Sequence, residues 1–173
     1  SGIFYEPGSL KAKNCRRGRE ALIEFCEREE IAYEICGKVI VATTEREERE
    51  LSRIEEKGRQ IGVECQRIGP ERLEELEPHV RGIAALHVAD SGVVDYAAMA
   101  QKMTHRIREH GWEVQLKTEV RELDSTSNRV ILSTTAGDIK AGQVINCAGL
   151  YADRVAEESL DAQIVPFRGE YYE

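Results

Sequence analysis

The 173-residue sequence predicts a mixed α/β and α+β fold with an antiparallel insert. Three observations carry that expectation. Helix-length stretches with apolar residues at three- and four-residue spacing alternate with short β-branched runs. The turn-forming words "STSN" and "AG" break residues 121–143 into short pieces, as in a meander. Finally, "VINCAGLYADRV", Val144–Val155, runs an apolar strand into a bare Ala148-Gly149 break and opens a helix at once, which is the strand-to-helix corner of an α/β unit.

The elements follow in order. Pro7 and Ser9 precede a helix to about Glu30 whose apolar positions are Leu10, Leu22, Phe25 and Cys26. "YEICGKVIVAT", Tyr33–Thr43, reads as a strand. Thr44 and Glu47 make a T-x-x-E capping box, because each side chain can satisfy the other's unpaired N–H, and Leu51, Ile54 and Ile61 form the stripe of the helix that Gly62 stops. Pro70 opens and Pro78 closes a short helix. Ile83–Val88 is strand-like, Asp90–Gly92 a turn, and Asp95 caps a helix along Ala100, Met103 and Ile107 that Gly111 ends. "WEVQLKTEV", "RVILSTT" and "QVINCAG" read as the remaining strands, and "QIVPFRGEYYE" as a strand of another sheet that Pro166 keeps at an edge.

Composition narrows the function. Charged residues make up 32% with both signs mixed and hydrophobic residues 41%, which describes a globule and not a disordered chain. The net charge of -8 argues against nucleic acid, since the one basic cluster, Lys11–Arg19, lies on a helix that turns Glu-rich and reads as a solvated face. No apolar run is long enough to span a bilayer and no signal peptide is evident, so a cytoplasmic location is expected, with peripheral attachment at the inner face of a membrane left open. Five cysteines, never spaced C-x-x-C, predict free thiols, and the four histidines lack neighbours at ligand spacing, so no metal is expected. A start at "SGIFYEPGS" without Met and an end at "RGEYYE" predict a piece of a longer polypeptide.

Candidate sites each have two readings. Ala148 and Gly149 carry almost no side chain, so a flat or phosphorylated ligand can approach the main chain, where N–H groups from Leu150 to Asp153 open a helix. The alternative is a plain connection, with Asp153 serving the helix dipole. Cys147 has no histidine nearby in sequence and is not assigned as a nucleophile. Arg168 beside Gly169 can offer a guanidinium fork to a carboxylate, or can be a surface residue. Phe4 and Tyr5 line a cavity or belong to the core, and His79 and His87 read as structural or exposed.

Together, "SGIFYEPGSLKA", "CGKVIVAT", "SGVVDYAAMA", "INCAGLYADRVA" and "IVPFRGEYY" resemble the L-2-hydroxyglutarate dehydrogenase/oxidase family, within the D-amino-acid-oxidase-like flavoproteins, in register from Ser1 to Glu173. The resemblance implies a fragment of a two-domain flavoprotein: a partial FAD-binding Rossmann-like sheet with an antiparallel meander, plus part of a mixed-sheet substrate domain. Residues 1–92 fall to the substrate portion, with 1–9 near the flavin, 93–162 to the FAD-binding portion, and 163–173 to a return strand. It implies FAD as cofactor, a small 2-hydroxy acid as substrate, hydride transfer to flavin N5, and a quinone or oxygen as electron acceptor. Val120, Cys147, Ala148, Gly149 and Leu150 would meet FAD, with the Val120 backbone at the adenine; Tyr5 and Arg168 would meet substrate.

Two parts of the family pattern are missing. No G-x-G-x-x-G is present to receive the pyrophosphate. The family's histidine, the expected base, falls just before the position of Ser1, so no catalytic residue is expected within the chain. The isolated chain is accordingly expected to be inactive and to lack tight FAD binding. The competing expectations are another flavoenzyme of the same group, acting on an amino acid or glycerol phosphate, and a non-catalytic α/β interaction module.

Overall fold

The computed structural model describes residues 2–126, 129–156 and 163–169. It divides into two compact units, Ser1–Trp112 and Glu113–Glu173.

The first unit opens with helix α1, Leu10–Glu29, capped where Ser9 Oγ accepts from Ala12 N at 3.2 Å and ended by Glu30 in the left-handed conformation. The expected single strand from Tyr33 to Thr43 is two: β1, Tyr33–Glu34, and β2, Lys38–Ala42. Gly37, at φ 74°, turns the chain between them, and Gly37 N donates to Ser91 O at 2.9 Å. A positive φ of this size suits glycine and breaks a continuous strand. Helix α2, Glu45–Ile61, has the full capping box: Thr44 Oγ1 accepts from Glu47 N, and the Glu47 carboxylate accepts from Thr44 N. Gly62 ends it at φ 72°.

Strand β3, Gln66–Ile68, helix α3, Pro70–Leu76, and strand β4, Ala84–Val88, complete a three-stranded antiparallel sheet in the order β2-β4-β3. The strand alternation of β4 divides its side chains between two layers. Ala84 and Leu86 pack with Ala42 and Leu51 under α2, and Val88 packs with Ile3 and Val63. On the other face, Ala85 packs with Ile68 and Leu73 of α3. Strand β5, Val93–Val94, pairs with β1. Helix α4, Tyr96–Glu109, is capped by Asp95, whose carboxylate accepts from Ala98 N at 2.9 Å. Its expected stripe is present but uncovered: α4 has no buried residue, and Met103 and Ile107 are exposed.

The second unit holds the meander β6, Val120–Thr126, β7, Arg129–Thr134, and β8, Gly137–Ala141. Three expectations are corrected here. Residues 112–119 form no strand, since the chain turns at Leu116 and Lys117 has φ 56°. Residues 143–148 also form no strand, because no described segment supplies a ladder for them. Among residues 163–169 there is no regular element, and residues 170–173 of that expected strand lie outside the described ones. A single 3-10 turn, Gly149–Tyr151, leads into the short helix α5, Ala152–Val155, which packs beside β6.

Candidate functional site

The corner after residue 143 is shaped by Asn146. Its Oδ1 accepts from Ala148 N at 3.1 Å and its Nδ2 donates to Ala152 O at 2.7 Å, so one side chain staples the two sides of the break. Gly149 sits at φ 58°, and a Cβ built there would find nothing within 4 Å. The corner is therefore open, and its backbone conformation is one that side-chain-bearing residues rarely adopt. Of the N–H groups expected to be free, Tyr151 N donates to Ala148 O and Ala152 N to Gly149 O. The N–H groups of Gly149 and Leu150 have no acceptor among the described residues. Cys147 carries a free, exposed thiol, and the Leu150 side chain is exposed.

Asp153 does something the sequence did not suggest. Its carboxylate accepts from Ile164 N and from Arg154 N, each at 2.9 Å, and so holds the 163–169 segment to the corner. The Ile164 N–H is the largest cause holding its pKa below the ordinary value. The Arg154 guanidinium lies 4.8 Å from the centre of the Tyr151 ring. Neither Asn146 nor Asp153 is among the site residues that the sequence predicts. A short polar side chain just before an Ala-Gly break was the available signal for Asn146, whereas the Asp153 contact reaches 11 residues ahead and leaves no local signature.

Val120 begins β6 beside a clamp in which Glu119 N donates to Thr135 Oγ1 and Thr135 N to Glu119 O, both at 3.0 Å. A bulge follows, between Val120 and Glu122. Arg168 is exposed and makes no ion pair among the described residues. In the first unit, Tyr5 closes a turn by donating its N–H to Gly2 O at 2.9 Å, and Phe4 and Tyr5 are both exposed while Ile3 is buried. Phe4 and Tyr5 are thus surface residues anchored by a core neighbour. The six other expected residues, Val120, Cys147, Ala148, Gly149, Leu150 and Arg168, belong to the second unit. Among the described residues no group of three or more His, Cys, Asp or Glu could hold a metal ion, and no helix is long and apolar enough to cross a membrane.

The fold is that of flavin-dependent oxidoreductases. L-α-glycerophosphate oxidase from Mycoplasma pneumoniae, with FAD bound, superposes at a TM-score of 0.78 with 22% identity, over 90% of this chain and 43% of that one. L-proline dehydrogenase from P. horikoshii does so at 0.76 with 21% identity, over 87% and 41%. The chain belongs to the DAO family, FAD dependent oxidoreductase, whose pattern it matches over residues 1–173.

Relatives are more similar still in sequence. L-2-hydroxyglutarate dehydrogenase from Indibacter alkaliphilus is 43% identical over 99% of this chain and 44% of that protein. The human mitochondrial L-2-hydroxyglutarate dehydrogenase is 38% identical over 99% and 40%, and that of Escherichia coli K12 is 34% identical over 99% and 42%. The chain thus spans less than half the length of the curated relatives it matches.

The corner fits the dinucleotide that the family uses. Two N–H donors without an acceptor among the described residues, beside a residue with no side chain and with open space where a Cβ would stand, are what a phosphate or flat ring needs to reach the main chain.

Proposed function

We propose that this chain is part of an FAD-dependent oxidoreductase that oxidises an L-2-hydroxy acid, L-2-hydroxyglutarate foremost, to the 2-oxo acid. The observation that carries this reading is the likeness to L-2-hydroxyglutarate dehydrogenases at 34–43% identity along nearly the whole chain. The open Gly149 corner supports it.

In this reading Cys147, Ala148, Gly149 and Leu150 offer main chain to FAD, and Val120 offers main chain to its adenine. When bound, FAD supplies the two-electron acceptor, taking hydride from substrate C2 at N5. Arg168 serves a substrate carboxylate by bidentate pairing, which suits a planar guanidinium, and Tyr5 lines the substrate. The hydroxyl proton goes to a base that no residue of this chain supplies. Residues 1–92 and 163–173 act with the substrate domain and 93–162 with the FAD-binding domain. Electrons leave to a quinone or to oxygen, and the protein works in the cytoplasm or against the inner face of a membrane.

The test is anaerobic titration of the full-length protein while its flavin absorbance is followed. Bleaching by L-2-hydroxyglutarate is expected. Bleaching by an amino acid or glycerol phosphate and not by L-2-hydroxyglutarate overturns the substrate assignment, and a full-length protein that takes up no FAD overturns the enzyme.

A further inference from the structure

We propose that the cleft between α1 and the β1–β5 ribbon binds a neutral amphiphile, a hydroxyl head on an apolar chain such as a medium-chain alcohol. The site is separate from the flavin reaction. Every residue that builds it lies in the first unit, and none belongs to the Gly149 corner.

The cleft has a volume of about 340 Å³, within the range of small-molecule pockets. One wall is a single face of α1, on which Asn14, Gly18, Leu22 and Cys26 recur every four residues. The other is the ribbon in which Tyr33 pairs with Val94. Gly92 lets that ribbon close up, since a Cβ there would collide with Glu34 O. Gly18 keeps the α1 wall open: a Cβ there meets nothing within 4 Å, although glycine in a helix interior is destabilising.

The two ends of the cleft differ. At one end Asp90 Oδ1 and Ser91 Oγ are buried and have no hydrogen-bond partner among the described residues. Ser91 is only 8% exposed, and its backbone is pinned by Gly37 N, which donates to Ser91 O at 2.9 Å. Buried polar atoms of this kind cost free energy until something bonds them. Both side chains are short, and a turn about χ1 between staggered positions directs them to a guest. Toward the other end the lining is apolar, with Leu22, Ile23 and Cys26 facing Val94.

Charge selects the head group. Arg19 stands at the polar end, where its Nε donates to Asp90 O at 2.9 Å. A carboxylate head would meet Asp90 and an ammonium head would meet Arg19, each a like charge in a partly desolvated place. A hydroxyl meets neither penalty, and it can donate to Asp90 Oδ1 while accepting from Ser91 Oγ. From Arg19 to Cys26 the helix rises about 10 Å, the reach of a chain of roughly six to eight carbons.

The experiment uses the full-length protein as wild type, Ser91→Ala, Gly18→Leu and, as a control, Gly142→Leu. Calorimetric titration with 1-hexanol, hexanoate and hexylammonium gives the affinities, and a thermal melt of each variant reports its folding. Wild type should bind 1-hexanol about tenfold or more tightly than either ion. Ser91→Ala should lower the hexanol affinity by about 2- to 10-fold without lowering the melting temperature, because the hydroxyl it removes has no partner. Gly18→Leu should fill the cleft and lower that affinity by about tenfold or more, and Gly142→Leu should leave it alone. Absent hexanol binding in wild type, equal binding of either ion, or an unchanged hexanol affinity in Ser91→Ala overturns the proposal. So does an unchanged affinity in a folded Gly18→Leu; if that variant melts early, Ser91→Ala decides.

Discussion

Arg106 on α4 grips a single oxygen of Glu29 at the end of α1, through Nε at 3.0 Å and Nη2 at 2.6 Å. The Glu29 side chain is only 8% exposed, and α4 buries no residue of its own, so this pair is a main tie between the helix and its unit.

The pair makes stability depend on acid. The Arg106 hydrogen bond is the largest cause holding Glu29 below its ordinary 4.5, against desolvation. A carboxyl with a depressed folded pKa stabilises fully above its unfolded value and loses that contribution as pH falls through the folded one. Melting temperature measured against pH should therefore fall below about 4.5, and Arg106→Met should shrink that acid step while lowering the melting temperature at neutral pH.

Thr44→Ala removes the side chain that caps α2 and leaves Glu47 N without its acceptor. Denaturant unfolding should show a loss of about 1 kcal/mol. An unchanged midpoint would mean that α2 is held by its buried stripe alone.

Gly37→Ala forces a Cβ onto a backbone at φ 74° and against His87 Nε2. A loss of about 1–2 kcal/mol is expected from the conformation alone, with the crowding at His87 added to it. A thermal melt of the variant beside Gly8→Ala, where a Cβ meets nothing within 4 Å at φ 77°, separates the two contributions.

Leu86→Ala opens a hole at the centre of the three-stranded sheet, where Leu86 is wholly buried. The cost should be about 2–5 kcal/mol, read as a shift in the urea midpoint without a change of slope.

Gly149→Val tests the corner itself. A Cβ at this position meets nothing within 4 Å, yet a β-branched residue resists φ 58°. In the full-length protein, FAD affinity should fall about tenfold or more, equivalent to ~1.4 kcal/mol, while Gly142→Val, on a glycine with equal space and no positive φ, should leave flavin content alone.

How much of this was legible in the sequence depends on the range of the interaction that decides it. The capping box of α2, the Asp95 cap, the Pro70 start and the Gly62 stop came out as read, because each is settled within four residues. Strands did worse. The alternation in "WEVQL" looked like a strand, but a ladder partner is a long-range matter, and Lys117 turned the chain first. The polar run "RELDST" has no strand pattern, and its Ser125 and Thr126 read as the start of a turn, yet all six residues lie in β6, held by its pairing with β7. At the candidate site, the bare Ala148-Gly149 corner is visible as a missing side chain, whereas the Asn146 staple and the Asp153–Ile164 bond depend on where backbone further along the chain falls.

Helix α4 carries one last implication. Tyr96, Met103 and Ile107 stand exposed along it, with Trp112 just beyond its end. Oily side chains gathered on one element behave as an adhesive, so this 173-residue chain, handled alone at high concentration, should clump through that element before it unfolds. Light scattering that rises with concentration, and is relieved by placing Lys or Glu at positions 103 and 107, would be the laboratory sign of it.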